Sequence, residues 1–189
     1  MDIRTRDKVM NAIVEEFKEK GLKFTMDDVA NNLHMSKKTL YKFYESKEEM
    51  LLDLADYSFA DIKRAEREIV DDATLDTVEK IRKIIVVLPD RYKNIGLSNL
   101  YQLKDKYPNV YVKVEKYLST DWDQTIALIE KGMNEGRIRK VSVPVLKAMV
   151  ESTMAHFMAD SGVLKDNGIS YEEGLNKLID IVMDGIRIK

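Results

Sequence analysis

The chain has no cysteine, which rules out disulfides, thiolate metal sites and cysteine nucleophiles, and which fits a reducing cytoplasm. Turn formers are scarce as well, with 8 Gly and 3 Pro in 189 residues. Together with 10 Met and abundant Leu, Ile, Lys and Glu, that scarcity favours an all-helical fold over one that must turn often between strands. The longest purely apolar run, Ile84 to Leu88, is far too short to cross a bilayer, and charge begins at Asp2, so no signal peptide and no membrane partner are expected. Net charge is only -2, which argues against a nonspecific binder of nucleic acid. At 44% hydrophobic and 34% charged the chain is globular, with apolar content for one good core or two modest ones. Catalytic constellations are missing too. There is no Gly-rich phosphate loop and no G-x-S-x-G, and His34 and His156 are the only histidines. Glu151 and His156 stand five apart, which is not the Glu-x-x-His spacing of di-iron bundles. No metal, no cofactor and no enzymatic activity are therefore expected.

What the chain does have is concentrated in Ser36 to Lys47, SKKTLYKFYESK. Ser36 is placed to cap one helix, and Ser46 the next with Glu49 three residues on, the S-x-x-E capping box. Between them about two turns of helix are expected, with Leu40, Phe43 and Tyr44 at the spacing of one buried face and Lys37, Lys38, Thr39, Tyr41 and Lys42 on the others. A short helix of that kind suits a DNA groove. Just upstream, Thr25 and Asp28 start a helix carrying Met26, Val29, Ala30 and Leu33, and only His34 and Met35 separate it from Ser36. Two short helices across so tight a turn read as a helix-turn-helix. Before them Val9, Met10, Ile13, Val14 and Phe17 repeat at helical spacing until Gly21 stops the helix, and Leu22 and Phe24 close the small core. Lys37, Lys38, Lys42 and Lys47 stand against the single Glu45 between residues 34 and 47, so positive charge gathers where the motif would meet DNA.

Read as TMDDVANNLHMSKKTLYKFYESK, residues 25 to 47 resemble the N-terminal DNA-binding domain of the TetR family of bacterial transcriptional regulators. Leu33, Met35, Ser36, Thr39, Leu40, Tyr41, Tyr44, Ser46, Lys47 and Glu48 meet that family's pattern. Two positions depart from it: His34 stands where the family usually has a turn glycine, so a positive φ there would be borne by His, and Phe43 stands where a polar residue is common. The resemblance implies that Thr25, Ser36, Lys37, Lys38, Thr39, Tyr41, Lys42 and Lys47 meet double-stranded DNA, with Tyr41 and Lys47 on phosphates and Lys37, Lys38, Thr39 and Lys42 at base edges. It further implies a three-helix head at 1–47 followed at 48–189 by a helical effector-binding and dimerisation body, about nine helices in all.

After the motif, apolar spacing predicts a long helix from Lys47 to Glu68 or Val70, one carrying Leu75 to Leu88, a short one over Ser98 to Lys106, and one from Asn109 to Asn134 that Ser119 to Asp123 can interrupt. Leu146, Met149, Val150, Thr153, Met154, Phe157 and Met158, and then Leu175, Leu178, Ile179, Val182, Met183 and Ile186, make two wide stripes, the second behind a Ser170–Glu173 capping box. Such stripes can cover a shared core or pair with their copies in a second subunit. The dimer reading puts Val150, Met154, Leu175, Leu178, Ile179, Val182, Met183 and Ile186 at the interface. Met and aromatic residues here are either core or the lining of a cavity. The resemblance favours a pocket for a hydrophobic small-molecule effector, with Tyr57, Tyr101, Trp122, Ile126, Met154 and Phe157 as candidates. The resulting expectation is a cytoplasmic homodimeric repressor released from a palindromic operator by its effector. An effector-independent regulator, an activator and a small helical-bundle enzyme are the alternatives.

Overall fold

A computed structural model describes residues 2–93, 95, 102–159 and 162–188. Tyr101 lies outside the described residues. The fold is all-α, and among the described residues the one β-type pairing is an isolated bridge between Ile138 and Arg187. The helices are α1 (Ile3–Lys20), α2 (Met26–Asn32), α3 (Lys37–Leu40), α4 (Lys47–Asp71), α5 (Thr77–Val86), α6 (Leu103–Lys106), α7 (Pro108–Thr120), α8 (Asp123–Asn134), α9 (Val143–Met158) and α10 (Tyr171–Ile186). None of them is long and apolar enough to cross a membrane.

Most boundaries follow from local chemistry. The carboxylate of Asp2 accepts from the Thr5 amide to start α1, and Gly21, at φ 57°, ends it where a side chain would be strained. Asp76 and Glu79 form a reciprocal capping box on α5. Ser46 accepts from the Glu49 amide at 3.1 Å, but the Glu49 carboxylate reaches past it to the Glu45 amide at 2.6 Å, so the expected box is displaced by one residue. The stretch expected as one helix from Asn109 to Asn134 is two, α7 and α8, parted at Asp121 and Trp122. Leu75 falls outside α5, which starts only behind its Asp76 cap.

The contacts divide the chain into two compact units, residues 1–61 with 89–116, and residues 62–88 with 117–189. In the first, Val9, Met10, Ile13, Phe17, Phe24, Val29, Leu40, Tyr44, Met50 and Leu51 form one buried cluster. Leu22 and Phe24 do not close it by themselves. Leu103 and Val110, each 2% exposed, belong to the same cluster, so the core around the motif is completed by residues from the middle of the chain. A polar seam flanks it: Tyr57 donates to Asp7 (2.7 Å) and receives from Arg91 (2.8 Å), while Arg91 and Tyr92 both reach the buried Asp61.

In the second unit Val78, Ile81, Ile84, Leu128, Ile129, Ile138, Leu146, Val150, Ile179, Val182, Met183 and Ile186 are buried together. Arg82 on α5 reaches Asp180 and Asp184 on α10 (2.8 Å to the latter), pinning two helices that are far apart in sequence.

Candidate nucleic-acid interface

The turn between α2 and α3 forms because α2 is capped at both ends and has little length to continue. Thr25 and Asp28 cap each other reciprocally. Leu33 closes α2, and His34 takes φ 51°, the left-handed conformation expected at this position; it bears strain that glycine would avoid. The Met35 amide then donates back to the Ala30 carbonyl at 2.9 Å, fixing the angle at which the chain enters α3. Ser36 accepts from the Thr39 amide at 3.1 Å. True α-helix lasts only from Lys37 to Leu40, shorter than the two turns expected. The coil continues through tighter bonds from the Lys42 amide to the Thr39 carbonyl and from the Phe43 amide to the Leu40 carbonyl.

That coil has two sharply different faces. Leu40 is fully buried and Tyr44 nearly so, the Tyr44 hydroxyl donating to Asp53 at 2.5 Å while Arg6 grips the same carboxylate. Desolvation, with the hydrogen bond to Asp53 second, pushes the Tyr44 phenol well above its ordinary range, so it stays a donor. On the other side Lys38, Tyr41 and Lys42 are exposed, and neither Lys38 nor Lys42 has an ion-pair partner among the described residues. Phe43 packs against the core cluster.

The remaining expected residues are more committed. Lys37 is exposed but pairs with Asp27 at 2.8 Å, which raises its pKa, and its ammonium lies 5.9 Å from the Tyr41 ring centroid. The Thr25 hydroxyl and amide are both taken by the Asp28 carboxylate, which is also bound by Lys20 and held down to about 2 by those contacts, Lys20 first. Ser36 and Thr39 share a hydroxyl contact at 2.8 Å.

Lys47 differs most from expectation. Its ammonium points inward, donating to the carbonyls of Leu22 (2.8 Å) and Phe24, and sits 3.9 Å from the Phe24 ring centroid and 5.6 Å from that of Tyr107. The short 3-10 turn Gly21–Lys23 leaves carbonyls with no helical partner, and a cation at the base of α4 satisfies them. Burial, with Lys106 nearby, lowers Lys47 to about 8. No local pattern in the sequence announces this role, because the partners are backbone carbonyls more than twenty residues away.

The pocket and interface candidates fare unevenly. Trp122, Ile126, Met154 and Phe157 all belong to the second unit, with Trp122 buried and the other three half-buried, whereas Tyr57 belongs to the first, its ring flanked by the Arg6 and Arg91 guanidiniums. Of the expected interface residues, Val150, Leu175, Ile179, Val182, Met183 and Ile186 are buried within the single chain, Val150 and Met183 completely. That stripe is consumed by its own core, so its width is not what would demand a second subunit. The apolar side chains left bare on the same two helices are different ones, Val145 and Met149 on α9 and Ile181 on α10, which is 74% exposed. Leu178 and Met154 are half-buried.

A capped helix, a tight turn and a short helix with a buried apolar face and an exposed cationic one define a helix-turn-helix DNA-binding protein. Residues 9–54 match the family model described as bacterial regulatory proteins, tetR family. Similarity extends further along the chain, to an uncharacterized HTH-type transcriptional regulator, YvaF, of Bacillus subtilis (strain 168), 26% identical over 169 residues that cover 89% of this chain and 88% of that one. The fold resembles the transcriptional regulator FadR from Bacillus subtilis, solved in complex with stearoyl-CoA, with a TM-score of 0.68 at 18% identity over 96% of this chain and 100% of that one. It also resembles the TetR family transcriptional regulator PfmR from Thermus thermophilus, with a TM-score of 0.62 at 20% identity over 97% and 98% of the two chains. The match to the tetR family model thus covers residues 9–54, and over the rest of the chain the likeness is one of fold.

Proposed function

We propose that the protein is a homodimeric, ligand-responsive repressor that reads a near-palindromic DNA operator with α3. The observation that carries this reading is the two-faced coil: Leu40 and Tyr44 lock it to the core while Lys38, Tyr41 and Lys42 stand exposed beside Thr39. Unpaired lysines on a groove-sized helix supply both the phosphate attraction and a donor for guanine edges, and the Thr39 methyl suits thymine. Lys38 and Lys42 are the principal readers, and Tyr41 contacts phosphate. Lys37 contributes once it leaves Asp27, and Thr25 and Ser36 act mainly by holding the turn. Lys47 serves as a positioning residue behind this surface, and would meet phosphate only by giving up its two carbonyls.

Two copies pair through the exposed side of α9 and α10 that carries Val145, Met149 and Ile181. A hydrophobic effector binds the second unit near Trp122, Ile126, Met154 and Phe157, a reading supported by the FadR likeness, whose structure holds stearoyl-CoA. The effector can release DNA only through a difference in its affinity for two arrangements of the dimer, and α4 and α7, which run through both units, are the covalent routes for that difference.

Footprinting on duplex from the protein's own promoter region tests the reading. Two protected segments should appear about 34–36 Å apart, or a multiple of that, on one face of the duplex. Protection of one half-site by a monomer, or none at all, would contradict it.

A further inference from the structure

Lys47 is withdrawn from the surface, and the two segments that hold it each carry an exposed lysine. Its ammonium touches the carbonyls on either side of Lys23, that of Leu22 at 2.8 Å, and lies 5.6 Å from the ring of Tyr107, the residue after Lys106. Lys23 ends the 3-10 turn and Lys106 ends α6. Both are exposed, and neither has an ion-pair partner among the described residues. The charge of Lys106 reaches Lys47 strongly enough to oppose its protonation. Carboxylates close by are committed elsewhere: Asp28, whose charge also reaches Lys47, is held by Lys20 and the Thr25 cap, and Glu48 accepts from Asn109 at 2.8 Å. Asp105 is the one carboxylate on α6 and offsets only one of its two lysines. Like charges gathered around one point repel unless an anion joins them.

The gathering is held in place by the core. Leu103 and Val110, on either side of Lys106, are each 2% exposed in the cluster that contains Leu40 and Met50, and the Tyr107 amide donates to the Leu103 carbonyl at 2.7 Å. The Asn109 bond to Glu48 ties the start of α7 to the first turn of α4. Lys47 follows Tyr44, on the α3 coil, by three residues, at most about 11 Å of chain and the length of about three base pairs.

We propose that Lys23 and Lys106 form a second anchor for the DNA backbone, beside the groove that α3 reads, and make the phosphate contact from which Lys47 is withdrawn. The partner is the sugar-phosphate chain, because two ammoniums at the ends of short turns offer charge without a helix to enter a groove. The inference rests on the DNA-reading part of the proposed function and extends that interface to the middle of the chain.

Salt-dependent binding of the full chain tests it, with Lys23→Gln combined with Lys106→Gln, and Lys104→Gln as the comparison. Residues 104 and 106 of a helix point about 200° apart, and Lys104 lies 5.9 Å from the Tyr111 ring, so it belongs to another side of α6. At about 0.1 M salt the double variant should bind promoter duplex and unrelated duplex at least tenfold more weakly, with a slope about 1.8 shallower and the preference between them kept. Lys104→Gln should change affinity by less than about twofold. Unchanged affinity and parallel salt lines in a double variant that melts as the wild type does, a loss confined to promoter duplex, or an equal loss in Lys104→Gln would overturn the anchor. Reading by α3 survives that failure if Lys38→Ala with Lys42→Ala still lowers sequence preference. A wild type that binds every duplex alike, with Lys23 and Lys106 carrying the slope, keeps the anchor and removes the reader, and one that binds no duplex overturns both.

Discussion

The two compact units put their information at different distances along the chain. In the helix-turn-helix of the first, the stretch from Thr25 to Tyr44 specifies caps, a turn, a buried face and an exposed cationic one, so cap partners there are neighbours in sequence. In the second, α5 packs with α10, and the Arg82–Asp180 pair that pins them joins residues 98 apart. A local pattern can say which face of a helix is apolar. It cannot say what covers that face, and the second unit consists mostly of that question.

The comparison can be attacked first where it is least expected to hold, at the edge of the first unit. Leu103 is 2% exposed and lies in the cluster beneath the helix-turn-helix, although it stands more than fifty residues beyond the motif. Leu103→Ala should therefore destabilise the DNA-binding unit by ~2–5 kcal/mol. Hydrogen exchange of α1 and α2 amides would report it. Unchanged protection there would mean that the head folds on the first 47 residues alone.

Lys47 offers a smaller effect with a definite sign. Its pKa of about 8 in the fold lies below the ordinary 10.5 of the unfolded chain, so between these values the unfolded state binds more protons. Stability should rise with pH across that window, by roughly 1–2 kcal/mol once solvent screening of a half-buried ammonium is allowed for. The neutral amine keeps two hydrogens for its two carbonyls, so the contact itself survives deprotonation. Comparing denaturant midpoints of wild type and Lys47→Met from pH 8 to 10.5 isolates the lysine from the tyrosines, and parallel profiles would refute the assignment.

How much of this was legible in sequence follows the same division. The caps at Thr25, Ser36 and Ser170 are visible because their partners lie three residues away, whereas the Asp76 cap emerges only from the structure. The left-handed His34 is legible only through the resemblance, which puts that family's usual turn glycine at this position. The inward turn of Lys47 is hidden, because a lysine beside other lysines looks like surface until the carbonyls of Leu22 and Phe24 are brought beneath it. The same holds for Val150 and Met183: their spacing marks them as buried, and only the packing of α5, α8 and α10 reveals that their own chain buries them.

A slighter effect should appear at Asp27, which holds Lys37 in an exposed pair and places a negative charge next to the reading surface. Exposed pairs are worth up to about 1 kcal/mol. Asp27→Asn should raise DNA affinity by no more than about fivefold, for unrelated sequences as much as for the operator. Fluorescence anisotropy on both duplexes checks it, and weaker binding by the variant would show that Asp27 orients Lys37 rather than restraining it.

The most direct test of the account is the salt dependence of binding to duplex from the protein's own promoter region, measured for wild type and for Lys38→Ala combined with Lys42→Ala. Each lysine that neutralises a phosphate adds about -0.9 to the slope of log K against log salt, and each base-edge contact about 1–3 kcal/mol of sequence discrimination. The account predicts at least tenfold weaker binding for the double variant, with a shallower salt slope, a lower preference for the operator over unrelated duplex, or both. Equal affinities with parallel salt lines would contradict it and remove α3 as the reader of DNA.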